Sequence, residues 1–307
     1  SNYGCLALMN ISYENTMNLA FDKPLEYKTL SLYPAKLFYY SIFSSADECL
    51  DVSRLDERDL RLMRLPYLEY MYEKSLINED FKNRWNMLIC ILSIVLQEQS
   101  FDIIRENGRL YLKVYQRSKD YELLNKQYKA LQDKIIEEYS ESKKIDDIKE
   151  YAAKMEEIKD KMFNIITISS EEFDEMRQLI MLQNDIKPQH FNAETEKLLY
   201  EMKIKLKSTR KDNSYTTMED LITIVSYSMH ISNEEMENLT IRRFNRYLDI
   251  ALSKDDYYMY KSLELSGAIK MKSEIPHWIK HYEPKGKFDD VLVDGGNLLT
   301  SLGDGKI

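Results

Sequence analysis

Residues 118–162 constrain the fold more than any other stretch. About half of them are charged, and none is Gly or Pro. Such a segment cannot supply a core, and nothing in it breaks a helix. Tyr121, Leu124, Tyr128, Leu131 and Ile135 recur at steps of three and four, as do Ile145, Ile148, Ala152 and Met155. With Ser140–Lys144 (SESKK) between the two sets, the spacing predicts a pair of antiparallel helices, a coiled-coil hairpin that projects from the body. A single long helix is the alternative. The flanks fix where this arm sits. Phe101–Gln116 alternates, with Leu110, Leu112 and Val114 on one face, and Asn107-Gly108 supplies the positive φ angles of a tight hairpin turn. Asn164–Ile168 (NIITI) is β-branched and reads as a strand returning to that hairpin. The arm is therefore expected as an insertion between neighbouring strands. Its role is either that of a solvated spacer or that of a handle for an assembly partner.

The remaining chain reads as helical. Only 8 Gly and 6 Pro occur in 307 residues, which disfavours a turn-rich β fold. Pro24–Leu32 alternates as one strand, and Pro34 opens a helix through Leu37, Phe38, Tyr39, Ile42 and Phe43. A helix over 56–74 is interrupted at Pro66. Residues 83–99 place Trp85, Leu88, Ile89, Leu92, Val95 and Leu96 on one broad face, with Cys90 as a small core hydrophobe in the same apolar run. Ser169 and Glu172 stand at capping-box spacing before a helix carrying Phe173, Met176, Leu179 and Ile180. Another helix covers 194–208. Thr217 with Asp220, Ser232 with Glu235, and Thr240 cap further helices, so 215–266 reads as a module of four short ones. Arg242, Arg243 and Arg246 form a tight Arg group that reads as a solvated face. After Gly267, Ala268–Lys272 alternates as a short strand. A Pro-His-Trp corner, an acidic segment and a Gly-rich tail follow.

The expected fold class is mainly α with a small antiparallel β-sheet, an α+β arrangement bearing the projecting hairpin. The expected organisation is a helical body with the β-hairpin (1–117 and 163–204), the inserted arm (118–162), a linker (205–214), and a C-terminal helical module with a short strand and tail (215–307).

Chemistry is conspicuous by what is missing. A formal charge of −9 disfavours a nucleic-acid surface, which needs clustered cations. The three cysteines, Cys5, Cys49 and Cys90, are scattered, as expected of a reducing cytoplasm. No basic and apolar leader opens the chain, and the longest apolar run, Met87–Leu96, is about half a membrane span. Nucleotide-binding glycine loops, the GxSxG elbow and paired CxxC motifs are all missing from the sequence. His277 and His281 share an i, i+4 spacing, but no third ligand or general base accompanies them, and Asp289, Asp290 and Asp294 do not meet calcium-loop spacing. No catalytic residue, metal site or cofactor is expected. The 23 tyrosines reflect either a low-GC codon bias or half-buried interface surface.

The stretch from Tyr257 to Asp294 resembles a family of proteins of unassigned chemistry carried by bacteriophages of low-GC Gram-positive hosts, among virion-structure and tail-assembly genes. The resembling features are the tyrosine-rich helix Tyr257–Leu265, Ser266-Gly267 with the alternating 268–272, the pair His277-Trp278 and the acidic end 289–294. Segments near Pro34, Pro66 and Phe173 share the likeness, whereas the arm does not. The resemblance implies a non-enzymatic structural or assembly protein of the tail or baseplate region. Its partners would be other phage structural proteins or copies of itself, with no nucleic acid and no membrane. Its expected place is the host cytoplasm during assembly, with the virion as a second location. Tyr257, Tyr258, Tyr260, Trp278, Tyr282, Asp289 and Asp290 are the candidate partner-binding residues. Alternatives are a tail-assembly chaperone absent from the mature virion, a phage-encoded inhibitor of a host defence protein, and a metal-dependent enzyme built on His277, His281 and Asp289 or Asp290.

Overall fold

The computed structural model describes residues 12–97, 99–140, 145–209 and 217–266, together with 275, 277–279, 284, 286–289 and 292. The chain is mainly helical, with two small antiparallel sheets. Helix α1 (Tyr13–Ala20) is capped by Ser12, whose hydroxyl accepts from the Asn15 N–H. The stretch expected as one strand folds into two, β1 (Leu25–Tyr27) and β2 (Leu30–Leu32), paired Leu25 to Leu32 and Tyr27 to Leu30. Lys28 takes a φ of 56°, and this left-handed residue turns the chain back. The reward is burial of Leu25, Leu30 and Leu32 together.

The segment after Pro34 forms a 3₁₀ turn (Leu37–Tyr39) that runs into α2 (Tyr40–Phe43), and α3 (Asp47–Leu50) follows. Pro66 separates α4 (Leu60–Met63) from α5 (Tyr67–Ile77), as a residue without an N–H must. Helix α6 (Glu79–Leu96) starts earlier than its apolar face suggested. The Asn78 side chain accepts from the Asp80 and Phe81 N–H groups and caps it there. Leu88, Ile91, Leu92, Val95 and Leu96 are buried, while Ile89 and Trp85 are half-buried. Cys90 is exposed and so is not the core hydrophobe its apolar neighbours suggested; it falls on the solvent side of the helix, one residue before the buried Ile91.

The larger sheet is the meander β3 (Ser100–Glu106), β4 (Arg109–Arg117) and β5 (Phe163–Ser169). Asn107 (φ 51°) and Gly108 (φ 81°) make the tight turn between the first two strands. Leu110, Leu112 and Val114 face the core. Between β4 and β5 stand α7 (Tyr121–Ser140) and α8 (Ile145–Met162), a helical pair inserted between hydrogen-bonded strands. The Ser118 N–H donates to the Met162 carbonyl at 2.8 Å and closes the base. Phe163 receives the ring edges of Tyr115 and Tyr121 at 6.3 and 5.6 Å. Along the arm, Tyr121, Leu124, Tyr128, Leu131 and Ile135 of α7 and Tyr151, Met155 and Ile158 of α8 are half-buried, and the two helices pack along their length. Ala152, expected on that seam, is exposed. A two-helix layer covers one face of each helix only, so the seam stays partly wet.

The capping box of Ser169 and Glu172 opens α9 (Ser170–Gln183), which buries Phe173, Met176, Leu179 and Ile180. The main core lies where α5, α6 and α9 meet the β1–β2 ribbon and the sheet. Helix α10 (Ala193–Thr209) follows and runs through the first half of the stretch expected as a linker from 205. Three helices, not four, lie between 217 and 266: α11 (Met218–Met229), α12 (Asn233–Asn238) and the 25-residue α13 (Ile241–Leu265). No Gly or Pro occurs between Thr240 and Ser266, so nothing ends α13 midway. The capping boxes at Thr217 and Ser232 and the Thr240 cap are all formed. The expected strand at 268–272 lies outside the described residues.

These C-terminal helices pack on the first forty residues. Leu37 enters a small core with Val225, Met236 and Phe244. The Leu37 N–H donates to Leu239 and the Ile241 N–H to Ala35, at 2.8 and 3.0 Å. The arginines read as a solvated face instead fasten α13. Arg242 pairs with the buried Asp185 at 2.9 Å and donates to the Leu182 carbonyl, and Arg243 pairs with Asp22 at 2.6 Å. Their partners come from distant parts of the chain, so helical spacing alone did not reveal them. Among the described residues, no helix is long and apolar enough to cross a membrane.

Candidate functional site

Helix α13 is two objects in series. Its first half is bound to the body: Ile241, Phe244 and Ala251 are buried, and Tyr247 and Leu248 pack at the rim of the small core. Beyond Ala251 no residue of the helix is buried. Tyr258 is 54 %, Met259 50 %, Tyr260 42 % and Leu265 85 % exposed. A helix of this length spans about 37 Å at 1.5 Å per residue, so its distal half reaches well past the core that anchors it.

Aromatic rings gather along that distal half. Tyr257 meets Tyr258 edge-on at 5.7 Å and His277 at 5.1 Å, and His277 stacks on Trp278 with centroids 5.6 Å apart and planes at 26°. The His277 ring is held by its own backbone, because Nδ1 accepts from the Ile279 N–H at 3.1 Å. A ring nitrogen so used is taken out of metal coordination. Trp278 is half-buried, while His277 and Ile279 are exposed. Distal α13 and residues 277–279 thus make one mixed surface of rings and aliphatic side chains. Large rigid rings bury much area at little entropic cost, which suits contact with another protein.

The structure brings together Tyr257, Tyr258 and Trp278, with Tyr260 on the same stretch of helix. It does not bring Asp289 to them. The Asp289 carboxylate accepts from Lys187 Nζ and the Gly286 N–H, both at 2.8 Å, and from Gln189 Nε2 at 2.5 Å. Burial pushes its pKa up, but the Lys187 and Gly286 hydrogen bonds outweigh this and hold it below the usual carboxylate range. Asp289 therefore acts as an internal clasp. Tyr282, Asp290 and His281 lie outside the described residues.

Sequence reasoning missed the rest of the clasp. Phe288 is buried against Leu199, with its ring 5.6 Å from Phe191 and 5.1 Å from Tyr200. Lys287 lies 3.4 Å from Glu48 and 3.5 Å from Glu196. Burial opposes its charge, yet the Tyr200 hydroxyl and the Asp47 and Glu48 carboxylates prevail and raise its pKa. Gly286 passes so close to the Gln189 amide that a Cβ would collide with it. The clasp borders an open pocket of about 300 Å³ whose polar lining includes Asp47, Asn184, Lys187, Lys203, Asn245 and Lys287. Only the Lys-Gly-Lys-Phe-Asp-Asp run hinted at this, since a lone Phe among charges is often an anchor.

Met259 and Leu265 were also missed as exposed apolar residues, because the periodicity that marks a buried face cannot show where a helix leaves its support. Among the described residues, no group of three or more His, Cys, Asp or Glu side chains is arranged to hold a metal ion.

No curated protein and no solved structure matches the chain. Residues 207–283, about a quarter of the sequence and the part that contains α11, α12, α13 and the His277-Trp278 corner, are similar to a phage-related domain family, described as the second domain of YomV.

Proposed function

We propose that this protein is a bacteriophage structural or assembly component of the tail or baseplate region, and that it works by binding other phage proteins rather than by catalysis. The observation that carries this reading is the coincidence of two features. The segment similar to the phage domain family is also the one whose long helix leaves the body and exposes Tyr258, Met259, Tyr260 and Leu265. The α11–α13 unit acts as the mount, fastened through Leu37, Arg242 and Arg243, and distal α13 with Trp278 acts as the docking face. Tyr257, Tyr258, Tyr260, Trp278 and Tyr282 all fall within the matched residues, whereas Asp289 and Asp290 fall beyond them. The protein works in the host cytoplasm while particles assemble.

Mass spectrometry of purified virions and of tail intermediates tests the placement. Recovery in virions or intermediates at a fixed ratio to known tail proteins is expected. Recovery in intermediates alone identifies an assembly chaperone, and recovery in neither defeats the reading.

A further inference from the structure

Strand β5 is an open edge of the three-stranded sheet, since the order β3–β4–β5 leaves one side of it without a strand partner among the described residues. Proteins usually guard such an edge with charge, Pro or a bulge. The opposite edge, β3, carries Asp102, Arg105 and Glu106. Strand β5 reads Phe-Asn-Ile-Ile-Thr-Ile-Ser, with no charge, no Pro and no Gly. Ile165 is 54 % exposed, and Asn164 and Thr167 are exposed beside it. An unguarded edge of β-branched residues suits the addition of another strand.

We propose that two copies of this chain join through their β5 strands, antiparallel and centred on Ile166, to make one continuous six-stranded sheet. The sequence of the edge is self-complementary in that register. On the solvent face Ile165 stands opposite Thr167 of the second copy, twice, and Phe163 opposite Ser169. On the core face Ile166 meets its own counterpart, and Asn164 stands opposite Ile168 at each end. The strand carries no charged residue, so no like charges stand opposite each other across the junction. The arm is compatible with the pairing. It leaves β5 at Phe163, the N-terminal end. A two-fold axis through Ile166 therefore sends the two arms off opposite ends of the sheet, where they cannot collide. A two-fold contact of this kind uses one patch twice and closes on itself. The surface is distinct from distal α13, so the two proposals stand or fall separately.

Sedimentation velocity of the full chain over a concentration series is the test, run on the unmodified protein and two variants. Ile165→Lys/Thr167→Lys places Lys opposite Lys at both solvent-face pairs. Ile165→Lys/Thr167→Glu places Lys opposite Glu instead. These positions face solvent, and thermal unfolding by circular dichroism should show both variants folded. The unmodified chain is expected to sediment as a dimer. The Lys/Lys variant should sediment as a monomer, with dimer affinity lowered about tenfold or more, and the Lys/Glu variant as a dimer. A monomeric unmodified chain at every concentration, or a dimer indifferent to the Lys/Lys change, overturns the proposal. Loss of the dimer in both variants overturns the antiparallel register.

Discussion

Arg242 and Asp185 show how much of this molecule depends on single polar contacts. The Asp185 side chain is almost wholly buried, and its φ of 59° sets the turn that follows α9. Beside it, Asn184 accepts from the Ala35 N–H and donates to the Ile180 carbonyl, while Gln183 donates to the Leu32 carbonyl. Three successive polar residues thus tie the first strands, α9 and α13 to one point. Removing one partner of a buried ion pair leaves the other uncompensated, so Arg242→Ala should lower unfolding free energy by about 3 kcal/mol in urea titrations. A loss under 1 kcal/mol would place the joint elsewhere.

Asp289 makes a pH-dependent prediction. Its carboxyl pKa is depressed in the folded chain, so its contribution is fully present above the ordinary carboxylate pKa and fades as pH falls through the lower folded value. Asp289→Asn should cost about 1 kcal/mol at pH 7, with the difference from the unmodified chain shrinking below about pH 4. Urea midpoints at pH 7 and pH 3 measure this. A difference that grows on acidification would contradict the clasp. The cysteines offer a simpler check. Cys49 is buried, and burial pushes its thiol pKa up, whereas Cys90 is exposed. Mass-mapped alkylation of native protein at neutral pH should modify Cys90 and spare Cys49. Equal labelling would contradict the burial of Cys49 on α3.

At the scale of elements, local signals were legible. Asn107-Gly108 marked its turn because positive φ is a property of two adjacent residues. The capping boxes at Ser169, Thr217 and Ser232 declared helix starts because donor and acceptor lie three residues apart. Leu110, Leu112 and Val114 announced a buried strand face. What could not be read locally was how elements meet. Arg243 finds Asp22 across 221 positions and Arg242 finds Asp185 across 57, and no helical period encodes either. The candidate site divides the same way. The tyrosines of α13 were legible as a cluster, but Asp289 was assigned to the same surface although it is bound to Lys187, 102 positions away.

The arm gives the clearest test at this scale. It joins Arg117 and Phe163, which face each other in the β4–β5 register. Replacing 117–163 by a two-residue turn between Gln116 and Asn164 should leave one cooperative thermal transition, since the seam of α7 and α8 is separate from the main core. Some loss of stability is expected from Met162 and the Phe163 ring contacts. A broad, non-cooperative melt would show that the arm belongs to the core.

Taken whole, the molecule is a helical body bearing two projections: the inserted arm from the sheet and the distal half of α13 from the C-terminal helices. Both are long, free of Gly and Pro, and carried by elements the core holds firmly. The proposed role, binding to other phage proteins, rests on the second of these, the exposed distal half of α13. The most direct measurement is quantitative mass spectrometry of the tagged full chain captured from cells in which the encoding phage is replicating. The unmodified chain is compared with Tyr258→Glu/Tyr260→Glu, two exposed changes that should leave unfolding unaltered. The account predicts strong enrichment of tail or baseplate proteins with the unmodified chain and at least a tenfold loss with the variant, as about 1.4 kcal/mol or more of docking energy would give. No enrichment of any phage structural protein, or equal enrichment with the variant, would contradict it.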